Sequence, residues 1–138
     1  MNHFHSQPTL VLVVDDEPEV LGEVSAVLSA AGFTCHCCTN PQSALANARK
    51  RPPDLIISDI NLGGESGLEM CERIRDELVL HDVPVMFLSG AQIPDIIRRS
   101  HAAGGTYYVR KPADPEVLLE LVQKALWMPH VANAHVHV

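Results

Sequence analysis

No apolar run in the sequence approaches the roughly 18 to 20 residues that a membrane-spanning helix requires. The longest such stretch, around Leu10 and Val14, has the length of a strand. There is no secretory leader pattern either: Met1 to Pro8 carries histidines and polar residues where a basic start and an apolar stretch would stand. No membrane association and a cytoplasmic location are the expectations. Basic charge is scarce, with 10 Lys and Arg against 17 Asp and Glu and a net charge of −7. An acidic domain repels phosphate backbones, which argues against direct nucleic-acid binding. Paired C-x-x-C spacing is missing too. Of the four cysteines, Cys35, Cys37 and Cys38 fall in a run that reads as a strand, and Cys71 stands apart. Reduced cysteines in small core or half-buried sites are expected there, rather than a zinc centre. Neither an internal repeat nor a low-complexity tract is visible.

What is present suits one globular domain. The length of 138 residues is enough to bury a core without disulfide or metal staples. Short apolar runs alternate with amphipathic segments. Strands are predicted over residues 9–14, 33–38, 54–58, 83–88 and 106–109. The third of these carries the continuous run Leu55-Ile56-Ile57 of a strand buried on both faces. Helical spacing follows each strand. Val20, Leu21, Val24, Val27, Leu28 and Ala31 make the first stripe, opened by Pro18 and stopped by Gly32. Ala44, Leu45 and Ala48 make the second, with Asn40-Pro41 at its start and Arg49-Lys50-Arg51 at its end. Ser66 and Glu69 have capping-box spacing ahead of Leu68, Cys71, Ile74 and Leu78. Ile93, Ile96 and Ile97 mark a fourth helix that Gly104-Gly105 ends. Val117, Leu118, Leu121, Val122, Ala125 and Leu126 mark a fifth, capped by Asp114-Pro115. Gly63-Gly64 reads as a loop, and Trp127 is expected to pack at the end of the last helix.

This (βα)5 alternation predicts a doubly wound α/β fold, a five-stranded parallel sheet between two helical layers. The expected division is an N-terminal tail over 1–8, one domain over 9–127 and a C-terminal tail over 128–138. In an open parallel sheet, ligands sit outside the carboxyl ends of the strands. At those ends stand Asp15, Asp16 and then Glu17, next Asp59, then Ser89, then Lys111. Each has an ordinary reading alone, as a turn, cap or solvated residue. Together they place carboxylates, a hydroxyl and an ammonium on one edge. Crowded carboxylates repel each other and persist where a hard cation binds them. Mg²⁺ prefers a site of few carboxylates completed by phosphate oxygens. A carboxylate nucleophile, an ammonium and a hydroxyl beside such a cation point to phosphoryl transfer.

The blocks Val13-Val14-Asp15-Asp16-Glu17, Ile57-Ser58-Asp59, Leu88-Ser89-Gly90 and Val109-Arg110-Lys111-Pro112 resemble the signature blocks of two-component response-regulator receiver domains, of the chemotaxis-regulator kind, over roughly residues 9 to 127. The resemblance implies a flavodoxin-like strand order 2-1-3-4-5. It implies that Asp59 is the phosphoacceptor, that Asp16 binds Mg²⁺ directly, and that Asp15 acts chiefly through metal-bound water. It implies that the Asn61 backbone carbonyl completes the metal site and that Lys111 pairs with the phosphoacceptor and then with the phosphate. Ser89 would be the switch hydroxyl, Tyr108 the switch aromatic, and Lys111-Pro112 a cis bond. The implied donor is a sensor histidine kinase or histidine phosphotransfer protein, and the implied output a downstream partner or output domain rather than catalysis. The output face would run over residues 93–101 and 106–126, with a homodimer through the last two helices left open. Two departures stand out. Gly63 occupies a place where many receivers have proline, and Ser89 replaces the commoner threonine.

Two other classes compete. A phosphatase with an aspartyl nucleophile of the haloacid-dehalogenase kind would want Asp-x-Asp, which Asp15-Asp16-Glu17-Pro18 does not offer. A metal-binding protein could use His3 and His5, or His135 and His137, although solvated terminal histidines are the simpler account.

Overall fold

The computed structural model describes residues 8–90 and 107–127. Strands β1 (Leu10–Val14), β2 (Thr34–Cys38), β3 (Leu55–Asp59), β6 (Val85–Ser89) and β7 (Tyr107–Arg110) form a parallel sheet in the order β2-β1-β3-β6-β7. Two short strands, β4 (Asn61–Leu62) and β5 (Glu65–Ser66), pair antiparallel beside it. With that hairpin set aside, the order is the expected 2-1-3-4-5. Three helices, α1 (Pro18–Ala30), α2 (Pro41–Lys50) and α3 (Gly67–Glu77), precede β6, and a C-terminal helix spans Pro115–Trp127. The helix predicted around Ile93, Ile96 and Ile97 lies outside the described residues, as do Thr106 and both predicted tails apart from Pro8.

The sheet divides the core in two because successive side chains on a strand face opposite ways. Leu12, Val14, Ile56, Val85 and Phe87 pack on one face with Ala44, Leu45 and Ala48 of α2 and Cys71 and Ile74 of α3. Val11, Val13, Leu55, Ile57, Met86 and Leu88 pack on the other with Leu21, Val24 and Leu28 of α1 and Leu118, Val122 and Ala125 of the C-terminal helix. β1 is fully buried along its length, which is why it reads as continuous apolar sequence rather than as an alternation. Phe87 is completely buried, and removing a side chain of that size from water is worth about 2–3 kcal/mol.

Local chemistry sets the helix starts. Asn40 Oδ1 accepts from the Ser43 amide at 2.8 Å and Ser66 Oγ from the Glu69 amide at 3.1 Å. Asp114 Oδ1 accepts from the Glu116 amide at 2.9 Å. Gly32 follows α1 with a φ of 97° that favours glycine.

The structure corrects the sequence reading in several places. β3 runs on through Asp59, which pairs with Leu88, and β6 runs on through Ser89, which pairs with Arg110. Gly63-Gly64 is the expected loop, with both residues at positive φ, and the structure adds that it closes the β4–β5 hairpin. Leu78 is the C-cap of α3 rather than part of it, and β6 starts at Val85, not at residue 83. Val117 is exposed because the buried stripe of its helix runs through Leu118, Val122 and Ala125. Trp127 is 74% exposed rather than packed. Of the cysteines, Cys38 and Cys71 are buried and Cys35 half-buried as expected, but Cys37 is exposed on the edge strand β2. Burial pushes the Cys71 thiol up to about 12, which leaves it chemically quiet.

Candidate functional site

The carboxyl ends of β1, β3, β6 and β7 bring the predicted residues to one edge. Asp15 follows β1 and is fully buried. Its amide donates to the Cys38 carbonyl at 3.1 Å, so the β1–β2 ladder continues one residue and fixes the side chain at the sheet edge. Asp15 Oδ1 accepts from the Glu17 amide at 2.9 Å. Asp16 is exposed and faces the hairpin, where its Oδ2 lies 3.5 Å from the position a Cβ would take on Gly63. Asp59 ends β3 with its side chain 13% exposed. Asp59 Oδ1 accepts from the Asn61 amide at 3.0 Å, and the buried Ser58 hydroxyl donates to the Asp59 carbonyl at 2.8 Å.

Lys111 ties the edge together. Its amide donates to the Ser89 carbonyl at 2.9 Å, extending the β6–β7 ladder and placing the ends of these strands side by side. The Lys111-Pro112 bond is cis, as the resemblance implied. Lys111 Nζ lies 2.6 Å from Asp59 Oδ2, 2.9 Å from Asp15 Oδ2 and 3.1 Å from Glu17 Oε1. Burial works against the lysine charge, but its carboxylate partners outweigh that and hold the ammonium above the ordinary lysine range. For Asp15 the balance goes the other way. Burial pushes its carboxyl up from the ordinary aspartate range, against the pull of Lys111 and the Glu17 amide, and the nearby Asp59 charge adds to the rise.

One carboxylate oxygen from each of Asp15, Asp16, Glu17 and Asp59 lies within 4.8 Å of the others. A single ammonium cannot neutralise four carboxylates. Asp15 Oδ2 is buried, and its close partner among the described residues is Lys111 Nζ at 2.9 Å, an ammonium that it shares with Asp59 and Glu17. An oxygen-only donor set with a buried, under-satisfied carboxylate oxygen fits a hard divalent cation. Such a cluster can hold a metal ion.

The structure thus brings together Asp15, Asp16, Asp59 and Lys111, with Ser89 half-buried at the adjoining strand end. Tyr108 stands on β7, 36% exposed, with its ring centroid 6.4 Å from that of Phe87. Asn61 contributes its amide to Asp59, and its side-chain oxygen accepts from Gly64 at 3.0 Å across the hairpin. His3, His5, His135 and His137 lie outside the described residues.

Two contributors were missed. Glu17 was seen beside the acidic pair but given no role, yet it is a partner of Lys111. Gly67 was given no role. It is buried, and a Cβ there would lie 1.9 Å from the Asp59 carbonyl oxygen. A glycine at the first position of a predicted helix was the available signal.

The family model of the response regulator receiver domain matches residues 11–123. The phosphate regulon transcriptional regulatory protein PhoB of Pseudomonas aeruginosa is 34% identical over 117 residues, 84% of this chain and 51% of that protein. The probable transcriptional regulatory protein TcrX of Mycobacterium tuberculosis is 35% identical over 122 residues, 88% of this chain and 51% of that protein. The chain therefore spans about half the length of the curated relatives it matches. Among solved structures, the Vibrio cholerae chemotaxis protein CheY4 is similar with a TM-score of 0.81 and 31% identity, over 86% of this chain and 98% of that one. A response regulator from Thermotoga maritima has a TM-score of 0.78 and 33% identity, over 87% and 98%.

Proposed function

The chain belongs to the response regulator receiver domain family, and from that premise we propose that Asp59 accepts a phosphoryl group in a Mg²⁺-dependent reaction and that the altered sheet edge changes what the domain binds. The observation that carries the proposal is the contact of Lys111 Nζ with Asp59 Oδ2 at 2.6 Å inside a cluster of four carboxylates. In the proposed step an Asp59 carboxylate oxygen bonds to phosphorus. The bond from phosphorus to the donor's leaving atom breaks, and the leaving group keeps the electron pair. Asp59 is the nucleophile, and Asp15 and Asp16 with Asp59 and the Asn61 carbonyl would hold the cation. When bound, Mg²⁺ offsets the negative charge that carboxylates and phosphoryl oxygens bring together. Lys111 would follow the charge from the Asp59 carboxylate to the phosphoryl oxygens, and the Ser89 hydroxyl would donate to them. Catalysis of this type is positioning and charge stabilisation, so the domain is a signalling phosphoacceptor over residues 9–127 rather than an enzyme acting on a separate substrate.

The donor would be a sensor histidine kinase or a histidine phosphotransfer protein, working in the cytoplasm. The readout would be a downstream partner, an output domain or a second copy, engaged through the face that carries Tyr108 and the C-terminal helix. Residues 93–101 and 106 of the proposed output face lie outside the described residues. Among the described residues no helix is long and apolar enough to cross a membrane.

Incubation with acetyl phosphate and Mg²⁺, followed by intact mass and peptide mapping, tests the proposal. A single base-labile phosphoryl adduct on Asp59 is expected, and a chelator that removes the divalent cation should abolish it. An undiminished adduct in chelator, or none in Mg²⁺, would overturn the reading.

A further inference from the structure

Glu17 occupies the N-cap position of α1, where a short polar side chain would accept from the first free amides of the helix. Its carboxylate makes no such cap. The Glu17 backbone is nevertheless clamped: its amide donates to Asp15 Oδ1 at 2.9 Å, and its carbonyl accepts from Val20 at 3.1 Å and Leu21 at 3.3 Å. From that fixed point the side chain reaches Lys111, with Oε1 3.1 Å from Nζ. The three carboxylates around the ammonium lie at graded depth. Side-chain exposure is 0% for Asp15, 13% for Asp59 and 63% for Glu17. An ammonium has three N–H donors, and three carboxylates surround this one, with Glu17 on the solvent side.

We propose that Glu17 is a positioning residue that occupies Lys111 and guards the phosphoacceptor with its negative charge, restraining phosphorylation of Asp59 while strengthening the hold on a divalent cation; this rests on the phosphoacceptor reading above. Phosphoryl oxygens need the Lys111 donors. The partner surrendered most easily is Glu17, because its carboxylate returns to water, whereas Asp15 is buried. A phosphodonor also carries negative charge past Glu17 on its way to Asp59, and like charges repel. The same charge adds a fourth carboxylate to the cluster that a cation would neutralise. Removing it therefore has opposite consequences for the two ligands: easier entry for the phosphoryl group and weaker retention of the metal. A merely structural role for Glu17 would not separate them.

The experiment uses the full chain with Glu17→Gln, which keeps the shape and removes the charge, and Glu17→Asp, which keeps the charge. Acetyl phosphate supplies the phosphoryl group at saturating Mg²⁺, and intact mass follows the adduct over time. Calorimetric titration with Mg²⁺ alone gives the metal affinity of the unphosphorylated chain. Glu17→Gln should be phosphorylated about 3–10-fold faster at low ionic strength and bind Mg²⁺ about 3–10-fold more weakly. Both differences should shrink as salt screens an exposed charge. Glu17→Asp should return the metal affinity towards that of the wild type. A Glu17→Gln chain phosphorylated no faster than the wild type at saturating Mg²⁺, or one with undiminished Mg²⁺ affinity, would overturn the inference. Failure of the underlying reading looks different, because the wild type itself would then take no phosphoryl group.

Discussion

Asp59→Asn is expected to carry no phosphoryl adduct under conditions that label the wild type fully, while folding to nearly the same stability. Asparagine keeps the shape of the side chain, and its amide oxygen can still accept from the Asn61 amide, which bonds Asp59 Oδ1 at 3.0 Å. It removes the proposed nucleophile, because a neutral amide does not attack phosphorus as a carboxylate does. Two electrostatic changes then oppose each other. Lys111 loses its partner at 2.6 Å but keeps Asp15 and Glu17, so the ammonium is not left buried and unpaired, the case in which breaking an ion pair costs most. Asp15 is relieved of the Asp59 charge that helps to hold its carboxyl up. The melting temperature should therefore move by only a few degrees, and intact mass should read the wild-type polypeptide mass less about one dalton with no phosphoryl increment. An adduct that survives this substitution would move the phosphoacceptor elsewhere on the edge.

What could be read in advance follows from how locally each feature is determined. β1 and the Leu55-Ile56-Ile57 segment of β3 were legible because a strand buried on both faces needs apolar residues without interruption. The starts of α2, α3 and the C-terminal helix were legible because Asn40, Ser66 and Asp114 bond amides two or three residues away. The edge cluster was legible because topology brings the carboxyl ends of parallel strands together whatever the loops do. The Lys111–Asp59 contact spans 52 positions, yet both residues sit at strand ends. The direction taken by the Glu17 side chain was not legible. A glutamate before Pro18 reads as an ordinary solvated acid at a helix start, and only the three-dimensional position of Lys111 turns it back. The Gly63-Gly64 hairpin escaped because β4 and β5 are two residues each, too short to show any alternation.

Gly67 marks the limit of local reading most clearly, because the local rule predicts the wrong sign for its substitution. Replacing a helical glycine by alanine ordinarily stabilises a protein by about 1 kcal/mol through propensity alone. Gly22, exposed within α1 with nothing inside 4 Å of its Cβ position, should follow that rule. Gly67 opens α3 against the end of β3, and its amide donates to the Ile60 carbonyl at 2.7 Å. A Cβ there would sit 1.9 Å from the Asp59 carbonyl oxygen, 2.9 Å from Ser58 Oγ and 3.1 Å from the Asp59 carbonyl carbon. The serine can rotate, but the backbone atoms move only if α3 or the end of β3 moves with them. Interiors packed this closely transmit such a shift rather than absorb it. Gly67→Ala is therefore expected to destabilise the domain by about 2–4 kcal/mol in chemical denaturation, with Gly22→Ala measured alongside as the case of opposite sign. The displaced carbonyl belongs to Asp59, the proposed phosphoacceptor, so the loss should extend to chemistry. Misplacing a reacting group by about 1 Å can cost on the order of 100-fold, and the folded Gly67→Ala chain should be phosphorylated slower by up to that factor. A variant as stable and as readily phosphorylated as the wild type would mean that α3 and the Asp59 strand end are not held together at Gly67.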